Sequence, residues 1–275
     1  MEELRVQGLA VSYSSAGPTA VVALHGAGNG TRDSSPLYRH LHETLPPLGI
    51  GVATFDRRGD GESEGEATRG RYEAQARDGL AVATALEVER FGLWGFSQGG
   101  WVAPLAATLS DDVAFVITIA ANGLSPAEIM LNVDRHNLKG AGYGKKVIER
   151  ADAIRSELDA WARDAGPPPD LAAAAAEPWF SLTHLPRPPA TYDAAAKERW
   201  IARMDFDPKR VFAAVRVPVL AFYGERDSMT PVQASVAAWP PQATVVVVPE
   251  ARHGLDLPDG TLAPLYEQTL VNWLS

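Results

Sequence analysis

Six short apolar runs recur along the chain, at Ala20 to Leu24, Gly51 to Phe55, Phe91 to Gly95, Val113 to Ala120, Val217 to Tyr223 and Ala243 to Val248. Runs of strand length that are apolar throughout, rather than alternating, read as strands buried on both faces of a parallel sheet. Helix-length amphipathic segments separate most of them. Arg77 to Glu89 brings Leu80, Ala83, Thr84 and Leu86 near one face, and Thr261 to Leu274 aligns Leu262, Leu265, Leu270 and Trp273 less regularly. Strand alternating with helix predicts a doubly wound, mostly parallel α/β sheet. Ahead of the first run, weak alternation at Leu4, Val6, Leu9, Val11 and Tyr13 predicts an antiparallel hairpin on the sheet edge.

The rhythm breaks between Asn122 and Phe206. Helix-like segments at Tyr143 to Asp164 and Thr191 to Met204 flank GPPPDLAAAAAEPW and LPRPPA, whose prolines stop helices and stiffen turns. Ala172 to Ala176 reads as a helical turn, and no strand pattern appears. Residues 122–206 are therefore expected to be a helical insertion into a core made of residues 1–121 and 207–275.

The stretch LWGFSQGGWVAP, residues 93 to 104, crowds Gly95, Gly99 and Gly100 around Ser97 between an apolar strand and a helical pattern. Glycines inside regular elements cost conformational entropy, so three beside one serine indicate a turn too tight for side chains. Strand, G-x-S-x-G, helix is the signature of a nucleophile elbow. A serine hydroxyl is scarcely ionised at neutral pH, so it needs a base, and the base an orienting acid. VLAFYGERD ends a strand with Asp227 in the following turn, and VVVVPEARHG ends the next with His253 just beyond it. Singly, Asp227 reads equally well as a cap for a helix beginning near Pro231, and His253 as a surface turn residue. Together, in this order and at strand C-terminal ends, they read as a Ser97, Asp227, His253 triad. VVALHGAGNGT follows the first core strand, and its small residues after His25 leave backbone amides free to face a developing oxyanion. The amides of Ala27 and Gln98 are the expected donors. A rival reading takes Gly26, Gly28 and Gly30 with Asp56 as a dinucleotide loop, but the third glycine position is missing and the triad residues go unexplained.

Composition narrows the function further. The 275 residues carry 25 Lys and Arg against 34 Asp and Glu, a net charge of −9, with no basic run to track a phosphate backbone, so no nucleic-acid partner is expected. No apolar run reaches the ~18 residues that span a bilayer, and MEELRVQG lacks the features of a signal peptide, so no membrane association and a cytoplasmic location are expected. The absence of cysteine removes thiol nucleophiles and thiolate metal sites. His40, His42, His136 and His184 lack metal-ligand spacing, so neither metal nor cofactor is expected. Oligomeric state is not legible.

Over nearly its whole length the chain resembles the serine hydrolases of the α/β-hydrolase fold. The matching pieces are LHGAGN, DRRGDGES from Asp56, GFSQGG, VPVLAFYGERD and EARHG. The resemblance implies that fold with residues 122–206 as a helical cap, the place where esterases, lipases, lactonases and carbon-carbon bond hydrolases with lids carry one. GFSQGG also occurs in acyl-thioesterase and carboxylesterase branches, which are typically shorter and lack a large insertion. Dehalogenases and epoxide hydrolases of this fold use an aspartate nucleophile, against which Ser97 argues. The expected activity is hydrolysis of a carboxylic ester, or similar acyl bond, of a partly apolar small molecule through an acyl-enzyme. Lactonase, thioesterase, peptidase or carbon-carbon hydrolase activity stays open on the same triad, and a dinucleotide-dependent oxidoreductase or a non-catalytic receptor stands as the reading from another class. Asp56, Arg57 and Arg58 are expected to hold a turn together, and Trp101 to lie in the core. Trp161, Trp179, Phe180 and Met229 are the expected substrate contacts, although aromatics at this density in the insertion also suit a small core of its own.

Overall fold

The computed structural model describes residues 1–187 and 192–275. They divide into two compact units, one of Met1–Gly123 with Pro208–Ser275, the other of Leu124–Asp207. Strands β1 (Glu2–Val6), β2 (Leu9–Ser14), β3 (Thr19–Leu24), β4 (Ile50–Phe55), β5 (Arg90–Phe96), β6 (Val113–Ile119), β7 (Val219–Gly224) and β8 (Thr244–Val248) form one sheet in the order β1-β2-β4-β3-β5-β6-β7-β8. The helices in chain order are α1 (Pro36–Thr44), α2 (Tyr72–Ala85), α3 (Gly99–Leu109), α4 (Pro126–Gly140), α5 (Lys145–Ala162), α6 (Leu171–Ala175), α7 (Ala194–Met204), α8 (Pro208–Ala214), α9 (Val232–Val236) and α10 (Pro264–Leu274).

In the first unit the six apolar runs are the parallel strands β3 to β8; the expectation of burial on both faces fails for β8, which lies at the sheet edge with Thr244 and Val247 exposed. The expected leading hairpin is β1 and β2, which pair antiparallel, with β2 also antiparallel to β4. Gln7 and Gly8, both at positive φ, make the two-residue turn that matches the strand twist. On one sheet face Val21, Trp94, Phe115, Ile117 and Phe222 pack with Leu37 and Leu41 of α1 and Tyr266 and Leu270 of α10. Each large apolar side chain so buried stabilises the fold by about 1.5–3 kcal/mol.

Two helix expectations need correction. α2 begins at Tyr72 rather than Arg77 and ends at Ala85 rather than Glu89. Its buried face is Tyr72, Gln75, Ala76, Gly79, Val82 and Ala83, while Thr84 is exposed. The first turns escaped the apolar pattern because Gln75 and Asp78 are polar yet buried, Gln75 donating to the Thr68 carbonyl at 2.8 Å and Asp78 pairing with Arg58 at 2.8 Å. α10 begins at Pro264 because Leu262 is taken up in a bridge with Asp256, and Leu265 is exposed.

β4 lies on one side of β3 and β5 on the other, so the strand order reverses between β3 and β5. In an open α/β sheet, ligands gather at the carboxyl ends of strands beside such a switch. Leu24 is in register with Gly95, Phe96 with Ile119, Ile119 with Phe222 and Gly224 with Val248. The turns after β3, β5, β7 and β8 therefore open from one edge.

The second unit consists of α4 to α7 and a 3-10 turn at Pro178–Leu182. Ile154, Leu158, Trp161, Trp179, Phe180 and Trp200 are among the buried residues of its apolar cluster. The expected helix at Tyr143 to Asp164 is α5, and the turn at Ala172 to Ala176 is α6. Thr191, the expected start of the last helix, and residues 188–190 of LPRPPA lie outside the described residues. α4 was not anticipated, because its inward positions Met130, Asp134 and Leu138 include a carboxylate. Its start was legible: Ser125 and Glu128 form a reciprocal capping box. Asp134 is buried, pairs with Arg155 and accepts from both His184 N–H (2.9 Å) and His184 Nδ1–H (2.6 Å). Removing one member of a buried pair strands the other's charge, so Asp134→Ala is expected to cost about 3–5 kcal/mol. Urea denaturation monitored with proteolysis between residues 124 and 207 checks this, and Asp134→Leu with Arg155→Met is expected to recover most of the loss.

Candidate active site

β5 keeps its ladder to the end, where the Ser97 N–H donates to the Ile119 carbonyl at 2.8 Å. Ser97 then turns to φ 53, a left-handed conformation that costs a non-glycine residue about 1–2 kcal/mol. α3 begins at Gly99, and there is no room for side chains where it meets the sheet. A Cβ at Gly95 would overlap the Gly99 carbonyl, and one at Gly99 would overlap the Leu24 carbonyl. The glycines let a helix start directly against two strand ends, and the turn between them projects Ser97 at the sheet edge.

Asp227 and His253 reach the same point from the turns after β7 and β8. The Asp227 side chain is wholly buried. One carboxylate oxygen accepts from the amides of Met229 (2.7 Å) and Thr230 (2.9 Å), the other from His253 Nδ1–H (2.8 Å). An ionised carboxylate only accepts, so this bond fixes the imidazole tautomer and leaves Nε2 as an acceptor. His253 Nε2 is 3.0 Å from Ser97 Oγ and takes its hydroxyl proton in a hydrogen bond. Burial pushes the Asp227 carboxyl up, but the His253 hydrogen bond and charge and the two amides outweigh it, holding the group below its ordinary range. Glu225, in the same turn, points elsewhere and accepts from the Glu250 N–H at 3.1 Å. Thr230 is a participant that sequence reading missed: its amide bonds Asp227 and its Oγ1 is 3.4 Å from His253 Nδ1. The signal was present, since Asp followed by amides two and three residues on is an Asx turn.

Residues 25–35 separate β3 from α1, so the glycines at 26, 28 and 30 do not open a helix as a dinucleotide loop would. Gly26 lies against the elbow: a Cβ there would be 3.6 Å from the Ser97 Cβ. Among the described residues neither the Ala27 amide nor the Gln98 amide has a hydrogen-bond acceptor. His25, fully buried, anchors the loop's start. Its Nε2–H donates to the Phe55 carbonyl at 2.5 Å and its Nδ1 accepts from Tyr38 at 2.9 Å. Burial pushes the His25 pKa down to about 4; the Phe55 carbonyl opposes this, and the Arg57 charge adds to it. Asp56, Arg57 and Arg58 do hold a turn: Asp56 accepts from the Arg32 and Glu62 amides (2.7 Å each), and Arg57 pairs with Asp60 at 2.8 Å. Trp101 is core.

A cavity of about 740 Å³ opens beside Ser97 and His253, with Ala27, Tyr38, Phe96 and Met229 in its wall. Met229 thus stands where a substrate contact was expected. Trp161, Trp179 and Phe180, the other expected contacts, are each more than nine-tenths buried in the apolar cluster of the helical unit. Among the described residues, no three His, Cys, Asp or Glu side chains are grouped as metal ligands, and no helix is long and apolar enough to cross a membrane.

The sequence pattern of the alpha/beta hydrolase fold matches residues 19–255, from the first core strand through the histidine turn. The chain belongs to the α/β-hydrolase fold family. Solved structures similar to this α/β hydrolase include an esterase from Exiguobacterium antarcticum, at 18% identity over 99% of this chain and 98% of that one, with a TM-score of 0.62. Est1E from Butyrivibrio proteoclasticus, solved with ferulic acid bound, is 18% identical over 100% and 98%, with a TM-score of 0.62. An enol-lactonase from Burkholderia xenovorans is 20% identical over 99% of both chains, with a TM-score of 0.56. At these identities they share the fold. No curated protein matches the α/β hydrolase by sequence.

The buried His25 makes stability depend on pH. Its folded pKa lies below the ordinary 6.5, so the unfolded chain binds a proton that the folded one refuses as pH falls from about 6.5 to about 4. The lost stability is expected to approach about 3 kcal/mol at the lower end, at 1.36 kcal/mol per pKa unit. Urea denaturation of wild type and His25→Gln across this range checks it: the variant's stability is expected to fall less steeply, by one proton's worth of slope.

Proposed function

We propose that this α/β hydrolase is a serine hydrolase that cleaves carboxylic esters of partly apolar small molecules through an acyl-enzyme. The observation that carries the reading is the continuous hydrogen-bonded line from Ser97 Oγ through both nitrogens of His253 to the buried Asp227, at 3.0 and 2.8 Å, with the serine on a left-handed turn. In this mechanism Ser97 Oγ attacks the ester carbonyl carbon as His253 Nε2 takes its proton, and Asp227 stabilises the imidazolium that results. The negative oxygen of the tetrahedral intermediate is bound by the amides of Ala27 and Gln98, whose N–H groups have no other acceptor among the described residues. Collapse breaks the bond to the alcohol oxygen, which leaves with the proton from His253. Water, deprotonated by His253, then attacks the acyl carbon, releasing the acid and returning the proton to Ser97. The cavity accommodates a small to medium substrate, with Met229 and Phe96 as apolar contacts. The proposal includes the helical unit as a cap that selects substrates; in the chain it follows β6, the neighbour of the strand that leads into Ser97.

Hydrolysis of a nitrophenyl ester by purified variants tests this reading. Ser97→Ala and His253→Ala are each expected to lower kcat by about 10⁶-fold, and the double variant by hardly more, because the residues act as a unit. Asp227→Asn keeps the geometry but favours the wrong tautomer, and a loss of about 10⁴-fold is expected. Wild-type turnover by folded Ser97→Ala would end the assignment. Full activity in Asp227→Asn with none in Glu225→Gln would move the acid within the same turn.

A further inference from the structure

We infer that Arg57 is a positioning residue that aims the Ala27 amide at the reacting oxygen, an inference that rests on the acyl-transfer reading above. Arg57 is 1% exposed, among the largest side chains wholly inside the protein. Nη1 donates to the Gly26 carbonyl at 3.0 Å and Nη2 to the Gly28 carbonyl at 2.6 Å. Its main-chain N–H donates to the Gly30 carbonyl at 2.7 Å. One residue thus holds alternate carbonyls of the loop after β3. Asp60 Oδ2 accepts from Nε (3.0 Å) and Nη2 (2.8 Å), and Arg69 pairs with the other oxygen of the same carboxylate at 2.6 Å, so the guanidinium has its own support. The fit is close: a Cβ on Gly30 would lie 2.8 Å from both Cβ and Nε of Arg57.

The Gly26 carbonyl and the Ala27 N–H belong to one planar trans peptide unit, so they point in opposite directions. Fixing the oxygen fixes the direction of the hydrogen. Gly26 adjoins Ser97, so pulling its carbonyl toward Arg57 turns the Ala27 N–H away from Arg57. A charged donor on the carbonyl also polarises the peptide and strengthens its N–H as a donor. Glycine at 26 and 28 leaves the loop with little torsional preference of its own, so the orientation must be imposed from outside. Arg57 imposes it.

The test compares wild type, Arg57→Met, Arg57→Lys and Ser97→Ala in nitrophenyl acetate hydrolysis, in inhibition by phenylboronic acid and in thermal unfolding. Phenylboronic acid adds to a serine as a tetrahedral anion whose oxygen seeks the same amide donors. In Arg57→Met, kcat is expected to fall about 10- to 100-fold, the scale of a misaimed donor, with KM changing by less than about threefold. The boronate inhibition constant is expected to rise by the same factor as kcat falls. Loss of stability alone moves neither number in the folded fraction. Lysine keeps the charge but cannot bridge two carbonyls, so Arg57→Lys is expected to show the same pairing of effects in smaller measure, and it decides the matter if Arg57→Met does not fold. Unchanged kcat and boronate inhibition in a folded Arg57 variant, with Ser97→Ala inactive, overturns the positioning role and leaves the acyl-transfer reading standing. Undiminished turnover by Ser97→Ala overturns both.

Discussion

Ser97 is held in a left-handed turn between the end of one strand and the start of a helix, and the rest of the site is arranged around that constraint. The turn is unfavourable by itself, and the neighbouring structure holds it. The Ser97 N–H completes the β5–β6 ladder at Ile119, and the Gly100 N–H returns to the Ser97 carbonyl at 2.9 Å to open α3. Both bonds require the helix to sit where side chains at 95 and 99 would overlap carbonyl oxygens. Small residues, a strained φ and a hydroxyl presented at the sheet edge are therefore one feature, and altering any of them alters the others.

Around the serine, two buried charges are treated in complementary ways. Asp227 is enclosed by donors: two amides of its own turn and the imidazole. Arg57 is enclosed by acceptors: carbonyls of the loop after β3 and the Asp60 carboxylate. Satisfied in this way, each charge remains inside the protein without the large penalty of an unpaired ion. Each also ties a loop down through main-chain groups. The anion fixes the orientation of the imidazole, and the cation fixes that of the peptide carrying the Ala27 amide. Parallel strands in register supply the common edge from which the turns converge.

The inner parallel strands were legible because burial on both faces leaves an uninterrupted apolar run, as in AVVAL and VAFVITIA; the edge strand β8 is as apolar in sequence but partly exposed. The elbow was legible because its glycines stand where periodicity would forbid them, and Asp227 was singled out by its place in the turn after a strand and ahead of His253, while its separation from Glu225 in the same turn came only from the hydrogen bonds. Polar residues hid what remained. Gln75, Asp78 and Asp134 occupy inward helix positions, so α4 and the start of α2 broke the apolar period. DRRGDGES reads as a turn held together by its charges, and nothing in its composition tells that Arg57 is wholly inside while its neighbour Arg58 is partly exposed. Trp161, Trp179 and Phe180 were ambiguous for the opposite reason: aromatic character suits a substrate wall and a small core equally well, and the structure places all three in the apolar cluster of the helical unit.

The most direct test is to trap the covalent intermediate. Wild-type protein is mixed with a nitrophenyl ester, quenched in acid within the first turnovers, and its intact and peptide masses are measured. A gain of one acyl group per chain, located on the peptide that carries Ser97 and absent from Ser97→Ala, is the result expected of a serine raised on this turn. Continued turnover with no acyl group on Ser97, or an acyl group on another residue, would contradict it.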